Sequence, residues 1–134
     1  MKLSNNFTLE ELIKSETAIR RGINNTPSSS VVENLQQLVT NVLQPIRDKF
    51  GPITVTSGYR SAQLNVAIGG SATSDHVLGM AADIGVQGAE AYRVLALACK
   101  HGFSGIGVQQ KGTGRFIHVD VATTELPRPN VWSY

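Results

Sequence analysis

Six residues separate His76 from Asp83 in the segment Ser74-Asp75-His76-Val77-Leu78-Gly79-Met80-Ala81-Ala82-Asp83, and His118 follows near the C-terminus in Phe116-Ile117-His118-Val119-Asp120. Two imidazoles and one carboxylate make a nitrogen and oxygen donor set that suits zinc. Three protein ligands leave a fourth position open for water, as catalytic zinc requires. The strand pattern around His118 sharpens this. Side chains alternate across a strand, so Phe116, His118 and Asp120 share one face while Ile117, Val119 and Val121 share the other. The apolar set belongs against a core, and His118 and Asp120 then project together to the opposite face. Asp83 stands between Ala82 and Ile84, where a carboxylate is costly unless it is paired or binds a metal. Gly79 lets the chain turn sharply between His76 and Asp83.

Each of these residues has a plainer reading when taken alone. His76 in a loop is ordinarily solvated, Asp83 is a strand-end cap, and His118 is a hydrogen-bonded structural histidine. Their joint occurrence favours a metal site. His101 is the contrasting case: it ends a helix and reads as a cation near the helix C-terminus.

The elements that must position these residues follow from periodicity and punctuation. Thr8-Leu9-Glu10-Glu11 is a capping box before a short helix through about Ser15. The stretch from Ala18 to Ser30, rich in Gly, Asn, Pro and Ser, reads as an irregular connection. Ser30-Val31-Val32-Glu33 is a second capping box. Leu35, Leu38, Val39, Val42, Leu43 and Ile46 then fall at helical spacing, which predicts the main helix from Val31 to about Phe50. Pro45 inside it predicts a kink or a break. Ile53–Ser57 and Ala81–Val86 read as strands. A short helix is expected over Ser61–Ile68, stopped by Gly69-Gly70. A helix over Ala89–His101 is expected to turn Tyr92, Leu95, Ala96 and Cys99 inward, with Gly102 closing it. Phe103–Gln109 and Arg115–Val121 read as two strands joined by Lys111-Gly112-Thr113-Gly114. The tail, with Pro127 and Pro129, is expected to be extended, with Trp132 packing back on the body. Helices first, then a small, mostly antiparallel sheet with one helix inserted, make an α+β fold. Its helices pack on one face of the sheet and the zinc site lies on the other. Residues 1–134 read as a single domain.

Composition excludes several classes. Charged residues are 16% of the chain, the net charge is +2, and no basic stripe or aromatic–glycine signature points to nucleic acid. No apolar run approaches the roughly 20 residues a membrane helix needs. The single cysteine, Cys99, excludes an intramolecular disulfide and a cysteine-rich zinc cluster, and reads as a small buried apolar residue. No coiled-coil seam is present, and a monomer is expected. Met1–Asn6 shows no apolar signal core, so a product made in the cytoplasm is expected.

Ser57-Gly58-Tyr59-Arg60, the His76–Asp83 segment and Phe116–Asp120 together resemble the three motifs of the LAS zinc peptidases. That family includes D-alanyl-D-alanine carboxypeptidases and the L-alanyl-D-glutamate endopeptidases of phage lysins. The resemblance runs from Phe7-Thr8-Leu9-Glu10-Glu11-Leu12 to about Val121, and the opening half looks most like short phage and prophage wall-degrading enzymes. It implies zinc on His76, Asp83 and His118, and peptidoglycan as the partner. It also implies that Arg60 binds a substrate carboxylate or carbonyl oxygen, a task that suits a planar, permanently charged fork. The plain alternative for Arg60 is a surface salt bridge. Ser74 is placed to bond the loop backbone or a ligand and so to support His76. Action in the periplasm or wall after release by another agent is the expected route.

One departure matters. Many members of that family carry an acid three positions before the last histidine, as general base. Here that position is Arg115, on the other strand face. Asp120 is the best substitute, either as the base or as a partner that orients His118. Asp75 and Glu125 are weaker candidates. Two function classes follow: a zinc peptidase of the bacterial wall, or a zinc-containing wall-binding or structural module of the same fold without turnover.

Overall fold

The computed structural model describes residues 1–101, 104–122 and 127–134. Thr8 caps α1 (Leu9–Ile13), its hydroxyl accepting the Glu11 N–H at 3.3 Å. The expectation that this helix reaches Ser15, with irregular chain beyond Ala18, is corrected. Ser15 instead caps α2 (Glu16–Arg21) by accepting the Ala18 N–H, and Gly22 closes α2 in the left-handed region at φ 64°. A serine three residues before an alanine and a glycine just past Arg21 are start and stop signals hidden in a loop-like composition.

The main helical run begins at α3 (Ser29–Leu38), two residues earlier than the second capping box implies. Ser28 is the cap, with extended ψ 167° and its hydroxyl accepting the Val31 N–H. Ser30 is already helical and cannot play that part. The run does not stop at Pro45. A wide π turn, Val39–Leu43, leads into α4 (Gln44–Phe50). Proline lacks the N–H for the regular ladder, and the wide turn just before it absorbs the mismatch. The apolar stripe holds: Leu35, Leu38, Val39, Val42, Leu43 and Ile46 are all buried in one core cluster.

Five strands form one sheet: β1 (Val55–Ser57), β2 (Ala81–Ile84), β3 (Gly105–Gln109), β4 (Phe116–Asp120) and β5 (Asn130–Ser133), in spatial order β1-β2-β4-β3-β5. All pairs are antiparallel except β3 with β5. The expected α+β architecture and mostly antiparallel sheet are therefore found, with shorter strands. The extended tail has become a parallel edge strand. Between β1 and β2 lie α5 (Ala62–Ala67), capped by Ser61, and a 3-10 turn over Asp75–Leu78. Gly79 ends that turn in the left-handed region at φ 74° and brings the chain into β2.

The helix between β2 and β3, α6 (Gly88–His101), runs as expected but faces the other way. Ala91, Val94, Leu97 and Ala98 are buried, while Tyr92, Ala96 and Cys99 are exposed and Leu95 is half-buried. Apolar residues ring most of this helix, so two stripes were available at helical spacing. The one with two alanines lets the helix approach the sheet closely. Gly102 and Phe103 lie outside the described residues. On the sheet's core side, Ala82, Ile84, Ile106, Ile117 and Val119 join the helical core. Asp83, His118 and Asp120 occupy the opposite side, as alternation requires. Among the described residues no helix is long and apolar enough to cross a membrane.

Candidate metal centre

The inner strands β2 and β4 build the centre through their register. Asp83 pairs with His118 across the ladder, so their side chains rise side by side. His76 arrives from the 3-10 turn. One donor atom from each of His76, Asp83 and His118 lies within 4.8 Å of the other two, and all three residues are buried. Asp83 Oδ1 is the shared neighbour, 3.3 Å from His76 Nε2 and 3.1 Å from His118 Nδ1. The rings meet edge-on at 5.2 Å.

What each histidine does with its other nitrogen decides the chemistry. His76 Nδ1 donates to the Gly58 carbonyl at 2.7 Å. His118 Nε2 donates to Asp120 Oδ2 at 2.9 Å. A carbonyl and a carboxylate only accept, so the outer nitrogens carry protons, and the inner ones are left to bind a cation, a proton or a metal, in front of Asp83. Both inner nitrogens face a carboxylate oxygen. Such a centre calls for a cation, and two imidazole nitrogens with one carboxylate oxygen fit zinc. The outer bonds are the ones that fix ligand orientation in metal sites. A proton competes for that inner place on His118. Burial works against a charged His118, yet Asp120 and Asp83 outweigh it and push its pKa up to about 8. Burial alone would raise Asp83, but His118 and His76 hold it well below the usual carboxylate range.

Asp120 is completely buried. Its Oδ1 accepts from Ser104 Oγ at 2.8 Å, from Arg128 Nε at 3.1 Å and from the Ala122 N–H at 3.3 Å. Its Oδ2 accepts from His118 and from Arg128 Nη2 at 3.0 Å. Burial would raise it, but His118, Arg128 and Ser104 hold it well below its ordinary value. Room for this carboxylate comes from Gly105, which pairs with Asp120 across the β3–β4 ladder. A Cβ there would sit 2.2 Å from Asp120 Oδ2.

Arg60 stands at the rim just after β1. Its Nε donates to Ser57 Oγ at 3.2 Å and its Nη1 to Asn65 Oδ1 at 3.1 Å. Nη2 lies 3.8 Å from Asp83 Oδ2, a charge contact rather than a hydrogen bond. Burial lowers its pKa, partly offset by Asp83. Ser74 Oγ accepts the His76 N–H at 3.3 Å and so caps the turn that carries this histidine. A cleft of about 550 Å³ opens over the centre, with Arg60, Ser74, His76 and His118 on its lining.

All six singled-out residues thus gather at one place. Arg115 does not join them: it is exposed, and its Nε donates to Gly112 O in the β3–β4 turn. Glu125 lies outside the described residues. Three contributors escaped the sequence reading entirely, and a fourth, Trp132, was expected to pack back on the body without a place in the site. Asn65 is buried and holds Arg60. Arg128 binds Asp120 and Asp75. Trp132 packs at 5.0 Å on the His118 ring, and Tyr134 lines the cleft beside it. Asp75, read only as a weak candidate base, is buried. Burial raises its pKa, with the Asp120 charge adding to it and Arg128 opposing. For Trp132 a signal existed, since an aromatic residue in a proline-rich tail needs a place to pack. Nothing local marked the others.

An α+β domain thus carries a buried two-histidine, one-aspartate donor triangle, fit to hold a metal ion, under an open cleft. Residues 5–120 match the Peptidase M15 family, and the chain belongs to it. Among curated relatives, a zinc D-Ala-D-Ala carboxypeptidase of Streptomyces albus G is 37% identical over 105 residues. The match covers 75% of this chain and 39% of that relative, so the chain spans about two fifths of the relative's length.

Proposed function

We propose that the protein is a zinc peptidase that cleaves stem peptides or cross-links of bacterial peptidoglycan, with zinc held by His76, Asp83 and His118. The observation that carries this is the commitment of both outer imidazole nitrogens to acceptors, which turns both inner nitrogens onto the Asp83 carboxylate as cation-binding donors. Membership of a peptidase family and the similarity to a zinc D-Ala-D-Ala carboxypeptidase support the reading.

Zinc, when bound, supplies a Lewis acid for the scissile carbonyl and acidifies an attacking water. The rest falls to the chain. Arg60 is held by Asn65 and Ser57 through two of its nitrogens, which leaves Nη2 near the centre to bind a substrate carboxylate or carbonyl oxygen. Ser74 fixes the His76 turn. Asp120 orients His118, because both of its oxygens are engaged and solvent does not reach it. The proposed site of action is the cell wall.

The same fact about Asp120 favours a second reading, a zinc-containing wall-binding module without turnover. The two are separated by incubating the purified protein with peptidoglycan, with and without a chelator, and identifying new termini by mass spectrometry. Free D-alanine marks a carboxypeptidase, and new amines within the stem or cross-link mark an endopeptidase. No new terminus at any stem-peptide bond sinks the enzyme reading. A His118→Ala variant that still cuts sinks the ligand assignment.

A further inference from the structure

Arg128 makes no contact with the three donor atoms, yet two buried carboxylates depend on it. Its Nη2 donates to Asp75 Oδ2 at 3.1 Å and to Asp120 Oδ2 at 3.0 Å, while its Nε donates to Asp120 Oδ1 at 3.1 Å. Its Nη1 donates to the Pro127 carbonyl. Every nitrogen is therefore engaged, and this guanidinium is not held in reserve for substrate. Its plane is set further by the Trp132 ring, 5.0 Å away.

The two carboxylates lead to the two histidines by different routes. Asp120 accepts the outer proton of His118. Asp75 opens the turn that carries His76, its carbonyl accepting the Met80 N–H at 3.0 Å. Asp75 is 4% exposed, and Arg128 makes the only hydrogen bond to its side chain among the described residues; Oδ1 has none. Two buried carboxylates that share one donor repel each other and lose a buried partner if that donor goes. We infer that Arg128 is a positioning residue for the metal, holding Asp120 and Asp75 side by side and through them the His118 ring and the His76 turn. This rests on the assignment of zinc to His76, Asp83 and His118.

The experiment is zinc affinity, measured by competition with a chromophoric chelator. The proteins are wild type, Arg128→Met/Asp75→Asn, Asp120→Asn, the triple variant, Arg128→Lys and His118→Ala. Folding is followed by thermal melts and by the emission of Trp132, the single tryptophan. The Arg128→Met/Asp75→Asn pair removes the cation and the carboxylate it would strand. It is expected to weaken zinc binding about tenfold or more, the range for residues that orient ligands. Added to Asp120→Asn, the same pair should weaken it by clearly less, because the main route is already cut. Wild-type affinity in the folded pair overturns the inference, and so does a full, independent loss on top of Asp120→Asn. If the pair fails to fold, Arg128→Lys decides. It keeps the charge without the fork and is expected to lose at least threefold, whereas wild-type affinity there overturns the inference. Should His118→Ala keep its zinc, the ligand assignment has failed and the inference falls with it.

Discussion

The inner strands and the edge strand serve the centre by different means. β2 and β4 are hydrogen-bonded on both sides, and their register alone sets Asp83 beside His118. β5 pairs only with β3, and its segment reaches the centre through side chains, Arg128 to the carboxylates and Trp132 to the His118 ring. Backbone register places the donors, and side chains from the edge set their electrostatic surroundings. The first device is fixed by the ladder as a whole. The second hangs on single contacts.

Removing a donor should therefore have the largest effect. A zinc concentration one hundred times the dissociation constant stabilises a binding protein by about 2.7 kcal/mol. Wild type should show that rise in melting temperature, and His118→Ala should show none. A His118→Ala variant that zinc still stabilises to the wild-type extent would move the centre off β4.

Next in size comes a change to the register-built wall. In Gly105→Ala the new Cβ meets the Asp120 carboxylate at 2.2 Å. Overpacking of this kind typically costs about 1–3 kcal/mol. The denaturant midpoint should fall accordingly, and zinc affinity with it, since Asp120 cannot keep its bond to His118. An alanine there that leaves both unchanged would mean that the inner strands yield more easily than their hydrogen bonding implies.

These two changes also mark where the sequence was legible. On β4, His118 and Asp120 fall in one phase of the alternation and Ile117 and Val119 in the other, so the strand face could be read without a structure. Asp83 was conspicuous in an apolar strand. α6 was not legible in the same way, because its apolar residues ring the helix and propensity does not choose between two stripes. α2 was hidden because Gly, Asn, Pro and Ser around it look like loop. Arg128 was beyond reach altogether. It sits between two prolines, and one of its partners, Asp75, is 53 residues away in sequence. Periodicity reports which face is buried, whereas an ion pair closed by tertiary folding leaves no local trace. Asp120 shows the same limit: its face was readable, but not the five donors that engage it.

Arg60→Lys separates substrate handling from metal holding, at a smaller scale than a lost donor. Lysine keeps the charge but not the planar fork, and a hydrogen bond to a charged group contributes about 1.5–3 kcal/mol. The kcat/KM on stem peptides should fall between about tenfold and a hundredfold, with zinc affinity near wild type. If zinc affinity falls just as far, the 3.8 Å contact with Asp83 Oδ2 is the main business of Arg60, and the guanidinium serves to position that metal donor.

Trp132→Phe should have the smallest effect. Phenylalanine keeps an aromatic ring against His118 and beneath Arg128, where aromatic contacts contribute about 0.5–1.5 kcal/mol beyond burial. Only part of that is lost, so stability should drop by less than about 1 kcal/mol, and zinc affinity should stay within a few-fold of wild type. The measurement must use a melt followed by circular dichroism, since the variant has no tryptophan. A loss as large as that of Gly105→Ala would erase the contrast between the two regions. The edge strand would then be built into the centre as deeply as the ladder, with the indole N–H, rather than the ring, as the group that matters. Gly107 provides the room for that indole: a Cβ there would lie 2.7 Å from Trp132 Nε1, so β3 holds the edge as closely as it holds Asp120.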